Sequence, residues 1–197
     1  MSLRFNVTAA FAAAVLVMPL AGRDALDAFQ AKYTKLKSVS CTFRDATGMR
    51  GSLKARKGGM YHITLSDREI ICDGQTVWNV VPSTKTVVLN TYKPSSDEVS
   101  LERVFFLMLN IYRPTLISHT KQSSLIRLAA PREDAMLANI NQAEIILDRR
   151  NIITSINVTE YGTTSTWFVS KLVLDRKLPP STFTFSIPKG WQTVDLR

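Results

Sequence analysis

The sequence predicts a mainly β protein with a few helices, its short strands following one another as an antiparallel meander of barrel or sandwich type. Three observations carry this reading. Asp73-Gly74 stands between two β-forming runs, Ile70-Ile71-Cys72 and Thr76–Val81, and a tight turn there needs the positive φ that glycine accepts without strain. Apolar residues recur with period two: Val39, Cys41 and Phe43; Leu53 and Ala55; Tyr61, Ile63 and Leu65. Turn residues punctuate these runs at the short spacing of an all-β domain.

Taken in order, residues 1–22 have the pattern of an export leader. Arg4 supplies the positive start, residues 7–17 an Ala-rich apolar stretch, and Pro19-Leu20-Ala21-Gly22 the breaker and small residues of a processing site. The apolar stretch is shorter than the ~20 residues that span a bilayer. No cysteine closes it, so the expectation is an exported, soluble protein rather than a lipid-anchored one. Residues 23–197 then form one domain, a length that suits a sizeable core.

The domain opens with a helix. Leu26, Phe29, Tyr33 and Leu36 share one face, with Asp24 and Asp27 near its start and Lys32, Lys35 and Lys37 near its end, as the helix dipole prefers. Strands follow at 38–42, 51–57, 60–65, 70–72, 76–81 and 86–91, with Gly58-Gly59 turning the chain. Past Pro94, residues 100–112 read as a helix that is apolar almost all round, through Leu101, Val104, Phe105, Phe106, Leu107, Met108, Leu109, Ile111 and Tyr112. Such a helix is covered or covers something. Pro114 ends it, and strands resume at 125–128, 143–147, 152–158, 165–174 and 183–187, with a hairpin at Tyr161-Gly162 and an edge loop at Pro179-Pro180. No repeat or linker divides the chain.

The 25 Lys and Arg outnumber the 16 Asp and Glu, giving a formal charge of +9, but they are scattered rather than massed into a nucleic-acid-binding block. Cys41 and Cys72 lack the spacing of a redox or metal site and are either bridged across neighbouring strands or buried as free thiols. His62 and His119 are isolated, and Glu133-Asp134 sits in a turn. There is no nucleophile elbow, phosphate-cradling loop, zinc motif or dinucleotide fingerprint. No catalytic residue, metal or cofactor is expected, because no nucleophile–base pair can be assembled.

Three segments resemble the LolA family of periplasmic lipoprotein carriers, within the LolA/LolB superfamily. Gly51-Ser52-Leu53-Lys54-Ala55-Arg56-Lys57-Gly58-Gly59-Met60-Tyr61 is similar to that family's early hairpin. Asp73-Gly74-Gln75-Thr76-Val77-Trp78 with Pro82 is similar to its Asp-Gly-Lys-Thr-Leu-Trp hairpin, and Phe183-Thr184-Phe185-Ser186-Ile187-Pro188-Lys189-Gly190 to its closing strand. The resemblance implies a curved antiparallel half-open β-barrel with a helical lid, the helix at 100–112 being apolar enough to serve. It also implies acyl chains held in an apolar cavity between lid and sheet. The residues expected to meet them are Leu53, Tyr61, Ile63, Trp78, Phe105, Phe106, Met108 and Leu109. Composition does not separate a cavity wall from a core wall, so packing remains the other reading of the Trp and the two Phe.

The family carries an Arg before Pro in the early hairpin, which holds the lid closed. A gap-free match puts Lys57 there and a one-residue shift puts Arg56; strand alternation favours Lys57 pointing inward. Lysine lacks the planar fork of arginine, so such a latch is weaker or different. The other reading makes both residues surface charges at a strand end. Partners implied by the resemblance are acylated lipoproteins, an inner-membrane release complex and an outer-membrane receptor, met by a monomer in the periplasm without nucleic acid. Competing readings are a lipid or lipoprotein sensor of the same fold that regulates a membrane partner, a carrier of another lipid, and an exported basic protein that binds polyanions. High salt abolishes binding only in the last case.

Overall fold

The computed structural model describes residues 20–94, 100–132, 137, 140–160 and 162–197. The leader read over 1–22 therefore lies almost wholly outside the described residues. Helix α1 (Leu20–Tyr33) precedes six strands: β1 (Ser38–Asp45), β2 (Arg50–Arg56), β3 (Met60–Leu65), β4 (Glu69–Asp73), β5 (Thr76–Val81) and β6 (Thr86–Thr91). A helical segment, α2 (residues 101–111), comes next. After it run β7 (Arg113–His119), β8 (Ser123–Ala129), β9 (Ile140–Asp148), β10 (Ile153–Glu160), β11 (Thr163–Leu174) and the short β12 (Gln192–Asp195).

Among the described residues the strands form one curved sheet in the order β12-β6-β5-β4-β3-β2-β1-β11-β10-β9-β8-β7. Neighbours are antiparallel except β12, which runs parallel to β6. The sheet ends in two edges, β12 and β7, and does not close. The half-open barrel with covering helices is thus the observed architecture.

The Asp73-Gly74 hairpin forms as its sequence dictates. Gly74 has φ +94°, and the Asp73 carboxylate accepts hydrogen bonds from the backbone N–H of Gln75 and Thr76, both at 2.8 Å. A β-carbon on Gly74 would lie 2.8 Å from the Gly58 carbonyl oxygen, so the neighbouring turn also requires glycine here.

Strand parity gives the sheet two faces. The inner face carries Val39, Cys41, Phe43, Leu53, Ala55, Ile126, Leu128, Ala143, Ile145, Leu147, Ile156 and Val158. These pack with Phe29, Tyr33 and Leu36 and with the α2 residues Val104, Phe105, Phe106, Met108 and Leu109 in the main core. Tyr33 fixes α1 in place: its hydroxyl donates to the Asn151 carbonyl and accepts from the Ile153 N–H, each at 3.1 Å. A smaller core lies on the outer face, where Ile71, Trp78, Val80, Val87 and Leu89 are covered by Phe185 and Trp191 of the C-terminal segment.

Two expectations are corrected, and the alternative left open for the cysteines is resolved. Residues 113–119 form an edge strand, although in the sequence Pro114 reads only as a helix stop; at an edge its missing N–H costs no ladder bond. Residues 183–187 are not a strand. The chain makes a 3₁₀ turn at Pro180–Phe183 and crosses the outer face, with Phe183 buried against it. The closing strand is β12 instead. Cys41 and Cys72 are buried free thiols on β1 and β4, which are separated by β2 and β3. Two intervening strands put them on the order of 14 Å apart, beyond a disulfide's reach. Burial pushes the two thiols up to about 12 and about 11, so both stay protonated.

Candidate functional site

The inner face is filled unevenly. Over β1, β2 and β8–β10 the helices pack it solidly, whereas over β3–β6 they leave a cavity of about 580 Å³. Its apolar wall is made by Phe43, Met49, Tyr61, Ile63, Leu65, Ile70, Val77, Leu101 and Trp167. Asn79, Asn90, Thr91, Lys93, Ser100, Glu102 and Arg103 add polar groups to its lining. The volume lies within the roughly 300–1,000 Å³ of small-molecule pockets.

The side chains arrive there by parity. Tyr61, Ile63 and Leu65 alternate on β3; they lie beside Ile70 on β4, and Val77 and Asn79 extend the same face along β5. Tyr61 meets Tyr92 edge-on, ring centroids 6.3 Å apart. Gly59, at φ +76°, lets the Tyr92 ring approach, since a β-carbon there would lie 2.4 Å from that ring. Gly59→Ala is expected to displace Tyr92 from the cavity wall and to lower stability by about 1–3 kcal/mol, measured by denaturant unfolding.

Helix α2 roofs the cavity at its N-terminal end. Ser100 caps it, its hydroxyl accepting from the Arg103 N–H at 3.4 Å. The Arg103 guanidinium donates to the carbonyls of Lys93 and Pro94 at 2.8 and 3.0 Å, tying the helix to the chain leaving β6. At the other end the Tyr112 hydroxyl donates to the Ile140 carbonyl and accepts from the Leu137 N–H. Between these ties, Val104–Met108 forms a π-helical turn in which the Leu109 N–H reaches back to the Val104 carbonyl. Such turns are uncommon and concentrate where helices serve a function.

Glu102 is 2% exposed, and burial pushes its carboxyl up to about 7, with the neighbouring Arg103 charge acting against that shift. A carboxyl raised on folding contributes stability that is complete below its unfolded value of about 4.3 and is lost as the pH rises through about 7. Glu102→Gln is therefore expected to match the parent near pH 4 and to exceed it by about 3 kcal/mol at pH 8, as read from unfolding curves across that range.

The sequence-derived site residues divide into three groups. Tyr61 and Ile63 line the cavity. Leu53, Phe105, Phe106, Met108 and Leu109 do not; they are buried in the main core, and α2 borders the cavity through Leu101, Glu102 and Arg103 instead. Trp78 is on the outer face. It pairs with Ile71 and Leu89 on the outer side and packs under Phe185 and Trp191, while its neighbours Val77 and Asn79 face inward.

The latch expectation also changes. β2 ends at Arg56, so Lys57 leaves the strand's alternation and is exposed in the turn. Arg56 faces outward, its guanidinium 6.0 Å from the Phe183 ring centroid. Neither side chain has a hydrogen bond or ion pair to α2 among the described residues. The arginine that ties helix to sheet is Arg103, on the helix itself. No sequence signal distinguishes it, because its acceptors are backbone carbonyls.

The site is thus a partly apolar cavity between an open, curved antiparallel sheet and its covering helices. The sequence profile of the outer membrane lipoprotein carrier protein LolA matches residues 25–186, and the chain belongs to that family. An outer-membrane lipoprotein carrier protein of Pasteurella multocida (strain Pm70) is 22% identical over 189 residues, 88% of each chain. One from Actinobacillus succinogenes is 24% identical over 204 residues, covering 98% of this chain and 95% of its own. The fold is shared with an uncharacterized conserved protein from Thermus thermophilus, at TM-score 0.54 and 9% identity, over 89% of this chain and 99% of that one. No helix among the described residues is long and apolar enough to cross a membrane.

Proposed function

We propose that this protein is a periplasmic carrier that shelters the acyl chains of lipoproteins in the cavity beneath the first turn of α2 and conveys them towards the outer membrane. The observation that carries the reading is the cavity of about 580 Å³, walled by Tyr61, Ile63, Leu65, Ile70 and Val77, in a chain of the lipoprotein carrier family. Each CH₂ buried there contributes about 0.8 kcal/mol, so hydrocarbon alone supplies substantial affinity. A receptor with a more apolar site then draws the cargo off without a further energy source at that step.

Native mass spectrometry with a synthetic acylated lipopeptide tests this directly. The expected result is a one-to-one complex that persists at high salt. No complex, or one that salt abolishes, contradicts the reading; the second outcome is that of a polyanion-binding protein.

A further inference from the structure

Two of the polar side chains lining the cavity present buried hydrogen-bond acceptors with no partner among the described residues: Glu102 Oε2 and Asn79 Oδ1. They come from different elements, the first turn of α2 and the middle of β5, and converge on one cavity. Buried acceptors are normally paired, and each one left unpaired costs stability. Tyr61, Ile63, Ile70 and Val77 line the same cavity beside Asn79 on the inner face of β3–β5, and the Tyr61 hydroxyl is the one side-chain donor among them. Lys93 is exposed at the mouth, and Arg103 directs its guanidinium to the Lys93 and Pro94 carbonyls.

Resting on the carrier reading, we infer that the cavity recognises the head group of its acyl ligand as well as its hydrocarbon, Glu102 and Asn79 accepting hydrogen bonds from N–H groups next to the acyl chain. An ammonium and an amide N–H both supply this chemistry, and an ester does not. The burial that holds the Glu102 carboxyl near about 7 makes the pairing strongest at mildly alkaline pH, where the carboxylate is ionised. Hydrocarbon then sets how tightly a ligand is held, and the acceptor pair sets which ligands are held.

The test measures binding of three probes with the same saturated chain at pH 8: a fatty-acid methyl ester, its N-acyl glycine methyl ester, and a lipopeptide with a free N-terminal ammonium. The expected result is that one or both N–H-bearing probes bind at least about tenfold more tightly than the ester. Glu102→Leu and Asn79→Leu, each verified as folded by its thermal transition, are expected to erase that preference, because leucine offers no acceptor. Equal affinity for all three probes, or a preference that survives both substitutions, overturns the head-group inference and leaves the carrier reading standing. Binding of none of the three overturns the carrier reading itself.

Discussion

Ile63→Asp is expected to reduce lipopeptide capture at least tenfold while the protein remains folded. Ile63 is half-buried on the inner face of β3 and forms the cavity wall between Tyr61 and Leu65. A carboxylate there stands on the wall that the acyl chain is to cover. It must either stay ionised against hydrocarbon or take up a proton, and both oppose an acyl chain in contact with it. The outer-face position across the pleat, His62, keeps its bonds to Glu69 at 2.7 Å and to the Thr182 carbonyl at 3.2 Å, so the C-terminal segment stays seated. Fluorescence titration with a labelled lipopeptide reads the affinity, and a thermal melt shows that the fold persists.

Phe105→Ala is expected to do the reverse. Phe105 is fully buried in the main core with Val104, Met108 and the inner-face residues of β8–β10. Truncating a buried phenylalanine removes its transfer free energy and leaves a void, costing about 3–5 kcal/mol. That is a large part of the roughly 5–15 kcal/mol that typically holds a domain folded. Urea unfolding is expected to show a lower midpoint with an unchanged slope. The molecules that remain folded are expected to capture lipopeptide as the parent does, because Phe105 does not border the cavity. The two substitutions together separate what α2 does for the core from what β3 does for the ligand.

Much of this arrangement is legible in the sequence. The hairpins of β2–β6 follow from period-two runs broken by glycine turns, and their ends fall within a residue or two of the expected ones. The helix at 100–112 follows from its apolar run and from Pro114. What is not legible has physical causes. β5 is covered on both faces, by the cavity on one and the C-terminal segment on the other, so its alternation carries no contrast between inside and outside. Sequence alone therefore does not separate packing from ligand contact for Trp78. An all-round apolar helix gives no sign of which residues meet a core and which a hollow, and α2 turns Val104, Phe105, Phe106, Met108 and Leu109 to the core and leaves Ile111 exposed. A latch at Lys57 requires the alternation of β2 to continue one residue past the strand's end, where the chain has already turned. β12 is four exposed residues, held by backbone pairing to β6, and no apolar pattern marks it.

Glu102 illustrates the opposite case. Nothing in the sequence singles out Glu102, and only the three-dimensional position of α2 shows that it is buried against a cavity. Its neighbour Arg103 is equally unmarked in the sequence, yet it ties the helix to the chain leaving β6.

The central claim is that hydrocarbon occupies the hollow over β3–β5. A lipopeptide with a photoreactive diazirine at the far end of its acyl chain measures this most directly, with the cross-linked residues located by peptide mass spectrometry. The account predicts adducts on Tyr61, Ile63, Leu65, Ile70 and Val77, competed away by unlabelled lipopeptide. Adducts concentrated on Trp78, Phe185 and Trp191 across the sheet, or labelling that excess ligand does not compete, would contradict it.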